Sequence, residues 1–245
     1  MIRLLFSLNR YNYLCGIRFG FLHMTTLTFF TFTKNRFWAF TQMQLAYQSL
    51  LGVKGLEFCK MLGTGAGNGF SLWPDFSTYA LLIVWKSKKE ANVFLKTHQL
   101  SKQFDSKASS KTTYFLQTIK SHGKWDGGNP FSAFDKKEKG GGKIGIITRA
   151  TLNKSRLIEF WQSVPKASKA IANASGVSWF KGIGEWPFIQ QATFSIWESE
   201  DAVQEFAYRS RPHANIVAKT RKRNWYKEDL FARFEIIDIQ KTHFT

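Results

Sequence analysis

Cysteine is scarce in this sequence, and long apolar runs are missing. The 245 residues include two cysteines, Cys15 and Cys59, which lack CxxC spacing and lie in no Cys/His cluster. This excludes a disulfide framework and a thiolate metal site, and it favours a reducing compartment. The longest apolar run, residues 79–85, is far shorter than the roughly 20 residues that a membrane-spanning helix needs. We therefore expect a soluble, cytoplasmic protein.

Acidic residues are also few, with 17 Asp and Glu against 35 Lys and Arg, a formal net charge of +18. The basic surplus is concentrated in residues 86–143 and 209–223. Such patches suit an anionic lipid surface or nucleic acid, although a generally basic proteome or simple solubility explains them equally well. Because the aromatic residues fall at core-like positions rather than as stacking platforms, no nucleic-acid partner is expected.

Several chemical signatures are missing as well. No carboxylates cluster with metal-ligand spacing, and no Ser or Cys nucleophile stands in a recognisable setting, so hydrolase chemistry is unsupported. The glycine-rich stretch 63–69 resembles a phosphate loop, but neither Gly-Lys-Ser/Thr nor a helix follows it. We interpret this stretch as a flexible turn.

Aromatic residues, by contrast, are abundant. The chain has 24 Phe and 9 Trp, and 44% of its residues are hydrophobic. This is ample material for a packed core, with a remainder that can line a cavity.

The chain reads as one unit used twice. Residues 1–23 begin like a signal peptide but lack a cleavage site, so we treat them as a doubtful N-terminal extension. Residues 24–134 form a first half, residues 135–142 a Lys/Gly-rich linker, and residues 143–245 a second half. In each half, strand and helix patterns follow one another in the order β-α-β-β-α-β. This predicts an α+β protein made of tandem ferredoxin-like repeats.

Local matches support the repeat. Lys60 corresponds to Lys181 and Gly63 to Gly184, and a strand ending in Trp occurs at residues 79–85 and again at 192–197. The helix predicted over residues 35–51 should bury its aliphatic and aromatic positions, namely Phe37, Phe40, Met43, Tyr47 and Leu50. Two such units can pair their sheets into an open barrel with the helices outside and a cavity between sheet and helix.

Histidine is the residue type that metal ligation and acid/base chemistry point to first. His23 and His243 lie near the ends of the chain, which leaves His98, His122 and His213. His213 follows Arg209 and Arg211 in the segment RSRPHA, where a neutral imidazole can hold a haem iron while one arginine pairs with a propionate. An ordinary surface histidine on a basic segment is the alternative reading.

The sequence resembles the spheroidene monooxygenases of carotenoid biosynthesis. The segments that carry the resemblance are 58–67 (FCKMLGTGAG), 79–85 (YALLIVW), 123–125 (GKW) and 130–131 (PF) in the first half, and 148–152 (TRATL), 160–161 (FW), 164–165 (VP), 180–185 (FKGIGE), 192–197 (ATFSIW), 212–214 (PHA) and 230–234 (LFARF) in the second.

The resemblance implies a haem b-dependent monooxygenase with a dimeric α+β barrel fold. Such an enzyme inserts oxygen, as a hydroxyl and then a keto group, near the end of an acyclic carotenoid, with electrons from reduced ferredoxin. It also implies that His213 binds the iron and that Arg211 and Arg233 bind the haem. Supporting catalytic roles fall on Lys181 and Glu185, in the KGIGE turn, and on Arg149.

A carotenoid is insoluble in water and must arrive from a bilayer, so the basic charge predicts a peripheral membrane surface as a partner. Two other functions stay open. One is a cofactor-free monooxygenase of the same fold, and the other is a non-catalytic protein that binds haem or a carotenoid. If His213 is not the iron ligand, His98 and His122 are next. The oligomeric state is left undetermined by the sequence.

Overall fold

The protein has an α+β fold. The computed structural model describes residues 23–67, 71, 73–131, 142–209, 220 and 222–244. Along the chain the elements are β1 (Met24–Thr31), α1 (Arg36–Leu50), β2 (Leu56–Gly65), β3 (Pro74–Trp85), α2 (Lys88–Thr97), α3 (Gln99–Lys107), β4 (Ser110–Gly123), β5 (Ile144–Leu152), α4 (Leu157–Ala172), β6 (Val177–Trp186), β7 (Gln190–Trp197), α5 (Glu200–Arg209) and β8 (Tyr226–His243).

The eight strands form one closed antiparallel barrel in the order β1-β3-β2-β6-β7-β5-β8-β4. The prediction of an open barrel was therefore wrong. The halves join at two seams. At one seam β2 meets β6 only briefly, with Gly63 opposite Gly184 and Thr64 opposite Ile183. At the other seam the long strand β8 pairs along the whole of β4, and this pairing closes the barrel.

Apolar side chains from all eight strands fill the barrel interior. Because side chains alternate across a strand, one face of each strand points inward. Four inward aromatics pack edge to face or stacked around the middle of this core, with ring centres 5.2 to 6.3 Å apart, namely Phe29, Tyr114, Trp179 and Phe194. The interior is thus a packed core rather than a channel.

The outward faces of the strands pack against the helices, and here the two halves match closely. Trp85 ends β3 and Trp197 ends β7, and each ring lies 5.1 Å from a phenylalanine of the following helix, Phe94 and Phe206 respectively. The predicted cap at Ser87 is confirmed, since its hydroxyl accepts a hydrogen bond from the Lys89 backbone N–H.

The prediction for α1 is confirmed at Leu50, which is buried, and at Met43 and Tyr47, which pack against the core, but it was wrong at Phe37 and Phe40. The helix buries Ala39, Gln42, Ala46 and Leu50 against the sheet. Phe37 and Phe40 instead point to solvent, with 80% and 52% of their surface exposed. Ala39 and Ala46 let the middle of the helix lie close to the strands, and Met43 and Tyr47 pack beside them.

Two further predictions concern the segments between the regular elements. Gly63 to Gly65 belong to strand β2, so the turn predicted for residues 63–69 begins later than expected. Apart from Gly142, the predicted linker lies outside the described residues, as does the extension before His23. Within the ranges that are described, no helix combines the length and the apolar character needed to cross a bilayer.

Candidate functional site

A cluster of charged side chains lies inside one end of the barrel. Lys60 of β2 and Arg149 of β5 point inward, with only 7% and 1% of their side-chain surface exposed. Lys60 Nζ lies 2.6 Å from Glu185 Oε2, and Arg149 Nη2 lies 3.5 Å from Glu185 Oε1. Both cations also pair with Asp126, and Arg149 forms a further ion pair with Glu228. The predicted residues Arg149 and Glu185 therefore lie together.

A tight turn between Trp125 and Gly128 positions part of this cluster. Asp126 and Gly127 both have positive φ angles, 54° and 87°, the conformation that Asp-Gly favours in a two-residue hairpin. The backbone N–H groups of these two residues donate to the Glu228 carboxylate at 3.0 and 2.8 Å. The turn thereby holds the Asp126 carboxylate over Lys60.

Trp125 closes the barrel above the charges. Its indole Nε1 donates to Glu185 Oε1 at 2.8 Å, and its ring centre lies 5.4 Å from the Arg149 guanidinium carbon. Trp125 and the nearby Phe131 are both buried in the barrel core, with ring centres 6.4 Å apart. The GKW and PF segments of the sequence are thus parts of a plug at this end of the barrel.

Electrostatics in this cluster keep Lys60 charged. Burial lowers the pKa of its ammonium group, but the carboxylates of Glu185 and Asp126 more than offset this, and the net shift is upward. Removing either cation would leave carboxylates buried without their partners. The cluster therefore stabilises the closed end of the barrel.

Lys181 is placed elsewhere, at the other side of the β2–β6 seam. Its Nζ donates to the Gly67 carbonyl oxygen at 2.8 Å and lies 3.4 Å from Asp75 Oδ2. Although burial raises the pKa of Asp75, hydrogen bonds from Ser77 and the charge of Lys181 lower it below its usual value. Lys181 and Glu185 both lie in strand β6, so the turn expected at KGIGE is a strand.

Sequence reasoning missed three members of the cluster, Lys60, Asp126 and Glu228, as site residues. One signal was available for Lys60, because it lies between the inward positions Phe58 and Leu62 and matches Lys181 in the repeat. A lysine on the apolar face of a strand needs buried partners. The Glu228 and Asp126 positions depend on the pairing of distant strands and on one turn, which the local pattern does not reveal.

A second candidate site lies on the outer face of the second half's sheet. Five residues are successive cross-strand neighbours and share this face, forming what we call the outer row: Gly182, Thr193, Thr148, Phe231 and His122. Thr148 is exposed although it lies in the middle of a strand with neighbours on both sides. The His122 ring stacks on Phe231 with centres 5.2 Å apart.

The outer row separates two packed clusters. Ile144 and Ile146 of β5 pack with α5 and with the end of α4 at Ile171, whereas Ala150 and Leu152 of the same strand pack with the first half of α4. Thr148 lies between these pairs. In the first half the corresponding residue is Thr28, as counted from the strand-terminal tryptophans, and it is buried within a single continuous cluster under α1, α2 and α3. Within the described residues, the second half therefore leaves Thr148 exposed at a position that is buried in the first half.

Arg233 borders the outer row, on the same face of β8 as Phe231. Its guanidinium forms an ion pair with Glu200 at the start of α5. Its buried Nε has no hydrogen-bond partner. A donor of this kind fits a carboxylate ligand placed under α5, such as a haem propionate.

The remaining predicted ligands are distributed as follows. His213 and Arg211 lie outside the described residues. His98 caps α3, its Nδ1 accepting from the Leu100 N–H at 3.2 Å, and burial lowers its pKa. His122 lies on the outer row. Among the described residues, no group of three or more His, Cys, Asp or Glu side chains is arranged to hold a metal ion.

The fold defines the class: an α+β protein with a closed eight-stranded antiparallel barrel. The structure of aldoxime dehydratase in complex with butyraldoxime is similar, with a TM-score of 0.59 at 9% identity over 91% of this chain and 84% of that one. At that identity the likeness shows the fold alone. No family model matches the sequence.

Curated relatives are more informative. The spheroidene monooxygenase of Cereibacter sphaeroides is 32% identical over 219 residues, 88% of this chain and 67% of that protein. The spheroidene monooxygenase of Rhodobacter capsulatus is 29% identical over 220 residues, 89% of this chain and 91% of that protein. The chain belongs to the spheroidene monooxygenase family, and so to the monooxygenases among the oxidoreductases.

Proposed function

We propose that the protein is a haem-dependent monooxygenase that inserts oxygen near the end of an acyclic carotenoid, first as a hydroxyl and then as a keto group. Family membership supports the reaction class. The observation that carries the site is the outer row, where the described residues leave Thr148 and His122 exposed on the outer sheet face. Each round consumes O2, two electrons and two protons, and returns water, with reduced ferredoxin as the electron donor.

The haem b is proposed to bind over the outer row, between α4 and α5. His213 and Arg211 are the proposed iron ligand and propionate partner, and the unpartnered Nε of Arg233 supports a second propionate contact. Thr148 and Thr193 are cross-strand neighbours with small side chains on this face, where a planar ring is proposed to lie. When bound, the haem iron supplies the activation of O2.

The protein's own contribution is to hold the substrate and exclude water. Phe231 offers an aromatic surface beside Thr148, which suits a polyene better than polar side chains do. Arg149, Glu185 and Lys181 lie on the inner faces of their strands, opposite to the outer row, so we assign them an indirect role as positioning residues. They hold the barrel whose outer face carries the site.

The fold is proposed to be a tandem pair of ferredoxin-like repeats, an intramolecular version of the dimeric α+β barrel. Within the first half the strands lie in the order β4-β1-β3-β2, and within the second half in the equivalent order β8-β5-β7-β6. The matching helices, and the matched tryptophan–phenylalanine contacts at 5.1 Å, support this interpretation. The protein is further proposed to work in the cytoplasm, at the inner membrane surface.

An absorption spectrum tests the haem site without relying on activity. Protein produced with a supply of haem should show a Soret band, and His213→Ala should lose it while remaining folded by circular dichroism. If the band survives that substitution, His122→Ala becomes the decisive variant, because His122 lies on the outer row. A wild-type protein that turns over substrate without a Soret band would support a cofactor-free monooxygenase. Bound but unchanged pigment would support a non-catalytic carrier.

A further inference from the structure

The exposed side of α1 carries aromatic residues where a water-facing helix normally carries polar ones. The helix buries Ala39, Gln42 and Ala46 on one side, so Phe37 and Phe40, which are roughly opposite on a helical turn, face outward. Phe37 is 80% exposed and Phe40 is 52% exposed. Large exposed apolar side chains that adjoin one another mark a surface that is covered in use.

The start of β3 extends this surface. Phe76 is half exposed and lies 6.2 Å from Phe40, ring centre to ring centre, in an edge-to-face contact. Trp73, one residue before β3, is 77% exposed. We call Phe37, Phe40, Trp73 and Phe76 the α1 surface. Tryptophan and phenylalanine together are typical of segments that lie in a membrane interface.

Positive charge surrounds the start of α1. Lys34 and Arg36 are exposed there, and Lys107 is held close by, because the Asn35 side chain donates to the Lys107 carbonyl oxygen at 3.2 Å. The sequence contains no Asp or Glu from residue 34 to residue 56. A basic rim around exposed aromatics is complementary to anionic lipid head groups.

Nearby carboxylates do not cancel this charge. Asp75, next to Phe76, is engaged by Lys181 and Ser77. Asp105 of α3 is engaged by Lys111 at 2.6 Å. The α1 surface therefore presents apolar side chains and net positive charge together, which favours a lipid bilayer over a second protein with an apolar face.

We propose that the α1 surface docks the protein on an anionic lipid bilayer, with Phe37, Phe40 and Trp73 inserted among the head groups. This inference rests on the proposed function for its purpose, since a carotenoid substrate resides in the bilayer. Its physical basis, the exposure and the charge, is independent of haem and of turnover.

Flotation with vesicles tests the proposal. The wild-type protein should float with vesicles of phosphatidylcholine and phosphatidylglycerol and much less with phosphatidylcholine alone. The variant Phe37→Ser/Phe40→Ser/Trp73→Ser should lose roughly tenfold or more of its partition coefficient on the anionic vesicles. Its thermal unfolding should stay unchanged, because the three side chains are mostly exposed.

A matched control is available at the other end of the β2–β6 seam. Ile158, Trp186 and Phe188 are also exposed, at 78%, 48% and 46%. Because β2 and β6 are antiparallel, the β6–β7 turn lies at the opposite end of their seam from the β2–β3 connection. If the α1 surface is what binds the bilayer, replacing these three residues by serine should leave the vesicle partition coefficient within about twofold of the wild-type value. Equal loss in both variants would overturn the assignment to α1.

Two further readouts separate the alternatives. If light scattering shows a dimer that the α1 variant converts to a monomer, and wild type does not float, the surface is an interface between copies and the proposal fails. Turnover of a carotenoid dissolved in detergent should be the same for wild type and the α1 variant. Loss of floating with turnover intact confirms docking, whereas floating without any turnover would refute the proposed function and leave docking in place.

Discussion

Lys60 and Lys181 occupy equivalent positions in the two halves, and each carries its ion pair across the seam to the other half. Lys60 of β2 reaches Glu185 of β6 at 2.6 Å, and Lys181 of β6 reaches Asp75 of β3 at 3.4 Å. The seam itself has only two residue pairs, at Gly63 and Thr64. These crossed ion pairs therefore reinforce the shortest strand pairing in the barrel.

Replacing Lys60 by methionine should destabilise the protein strongly. The change keeps the apolar stem but leaves Glu185 and Asp126 to share Arg149, whose Nη2 lies 3.5 and 3.6 Å away. We expect a cost of about 3 kcal/mol, at the lower end of what breaking a buried ion pair costs. Lys181→Met is the matched control and should cost clearly less, because its partner Asp75 keeps the hydrogen bonds from Ser77. Urea unfolding measures the loss of unfolding free energy in each variant. Equal losses in the two variants would contradict the deeper burial assigned to Lys60.

The same lysine predicts a pH dependence. The folded-state pKa of Lys60 is raised, so its contribution to stability is fully present below the unfolded value of about 10.4 and is lost as pH rises through the higher folded value. Between those values the wild-type protein should lose stability with rising pH, and Lys60→Met should lose less. Unfolding free energies measured across this alkaline range test the sign. A steeper loss in the variant would be the opposite result.

Substitution by alanine should change the stability differently at the two glycines of the seam, Gly63 and Gly184. A Cβ built on Gly184 would lie 2.6 Å from the Gln190 carbonyl oxygen, a backbone atom that has little room to move. A Cβ on Gly63 would have as its nearest atom the Gly184 oxygen at 3.9 Å. We expect Gly184→Ala to cost about 1–3 kcal/mol and Gly63→Ala to be neutral or slightly stabilising. Thermal melts of the two variants give the comparison directly.

Cys59 should be an unreactive thiol at neutral pH. Burial raises its pKa to about 11, although the nearby charge of Lys60 opposes the shift. Only the thiolate is alkylated, so the alkylation rate of Cys59 in the folded protein should keep rising as the pH approaches its pKa. In the unfolded chain the pH midpoint of alkylation should be about 8.5. Iodoacetamide labelling with peptide mapping separates Cys59 from Cys15. Rapid labelling of folded protein at neutral pH would show that the thiol is not buried.

The outer row predicts a contrast between two threonines at equivalent positions. Thr148→Phe adds a ring on an exposed face and should leave stability within about 1 kcal/mol of wild type while blocking haem binding. Thr28→Phe adds the same ring at a buried site where the Thr28 and Thr113 hydroxyls hydrogen-bond at 3.1 Å, and should cost about 1–3 kcal/mol or more. Haem titration and chemical unfolding of both variants measure the two effects. Undiminished haem binding by Thr148→Phe would remove the outer row as the haem site.

Local patterns predicted most of the strands because they are short, apolar and bounded by clear turns. The element order and the Trp–Phe pairs at residues 85/94 and 197/206 followed from comparing the halves. The predicted buried face of α1 was right at Met43, Tyr47 and Leu50, but it was wrong at Phe37 and Phe40, which were assumed to be inside because they are large and apolar. Periodicity alone does not distinguish a face that packs on the sheet from one that is covered by something else.

The site was harder to predict. Arg149 and Glu185 were recognised through the family resemblance, yet their partners Asp126 and Glu228 come from a turn and a strand far away in the chain. Such contacts depend on barrel closure, which fixes the β5–β8 and β4–β8 registers. Likewise, the exposure of Thr148 is a property of how α4 and α5 pack, and its own segment gives no sign of it.

The most direct test of the account is oxygen insertion itself. Haem-loaded protein would be incubated with an acyclic carotenoid, reduced ferredoxin and isotopically heavy O2, and the pigment analysed by mass spectrometry. A carotenoid monooxygenase should yield a product that carries heavy oxygen near one end of the polyene, as a hydroxyl at early times and a keto group later. Recovery of the unaltered carotenoid from folded, haem-loaded protein would contradict this prediction.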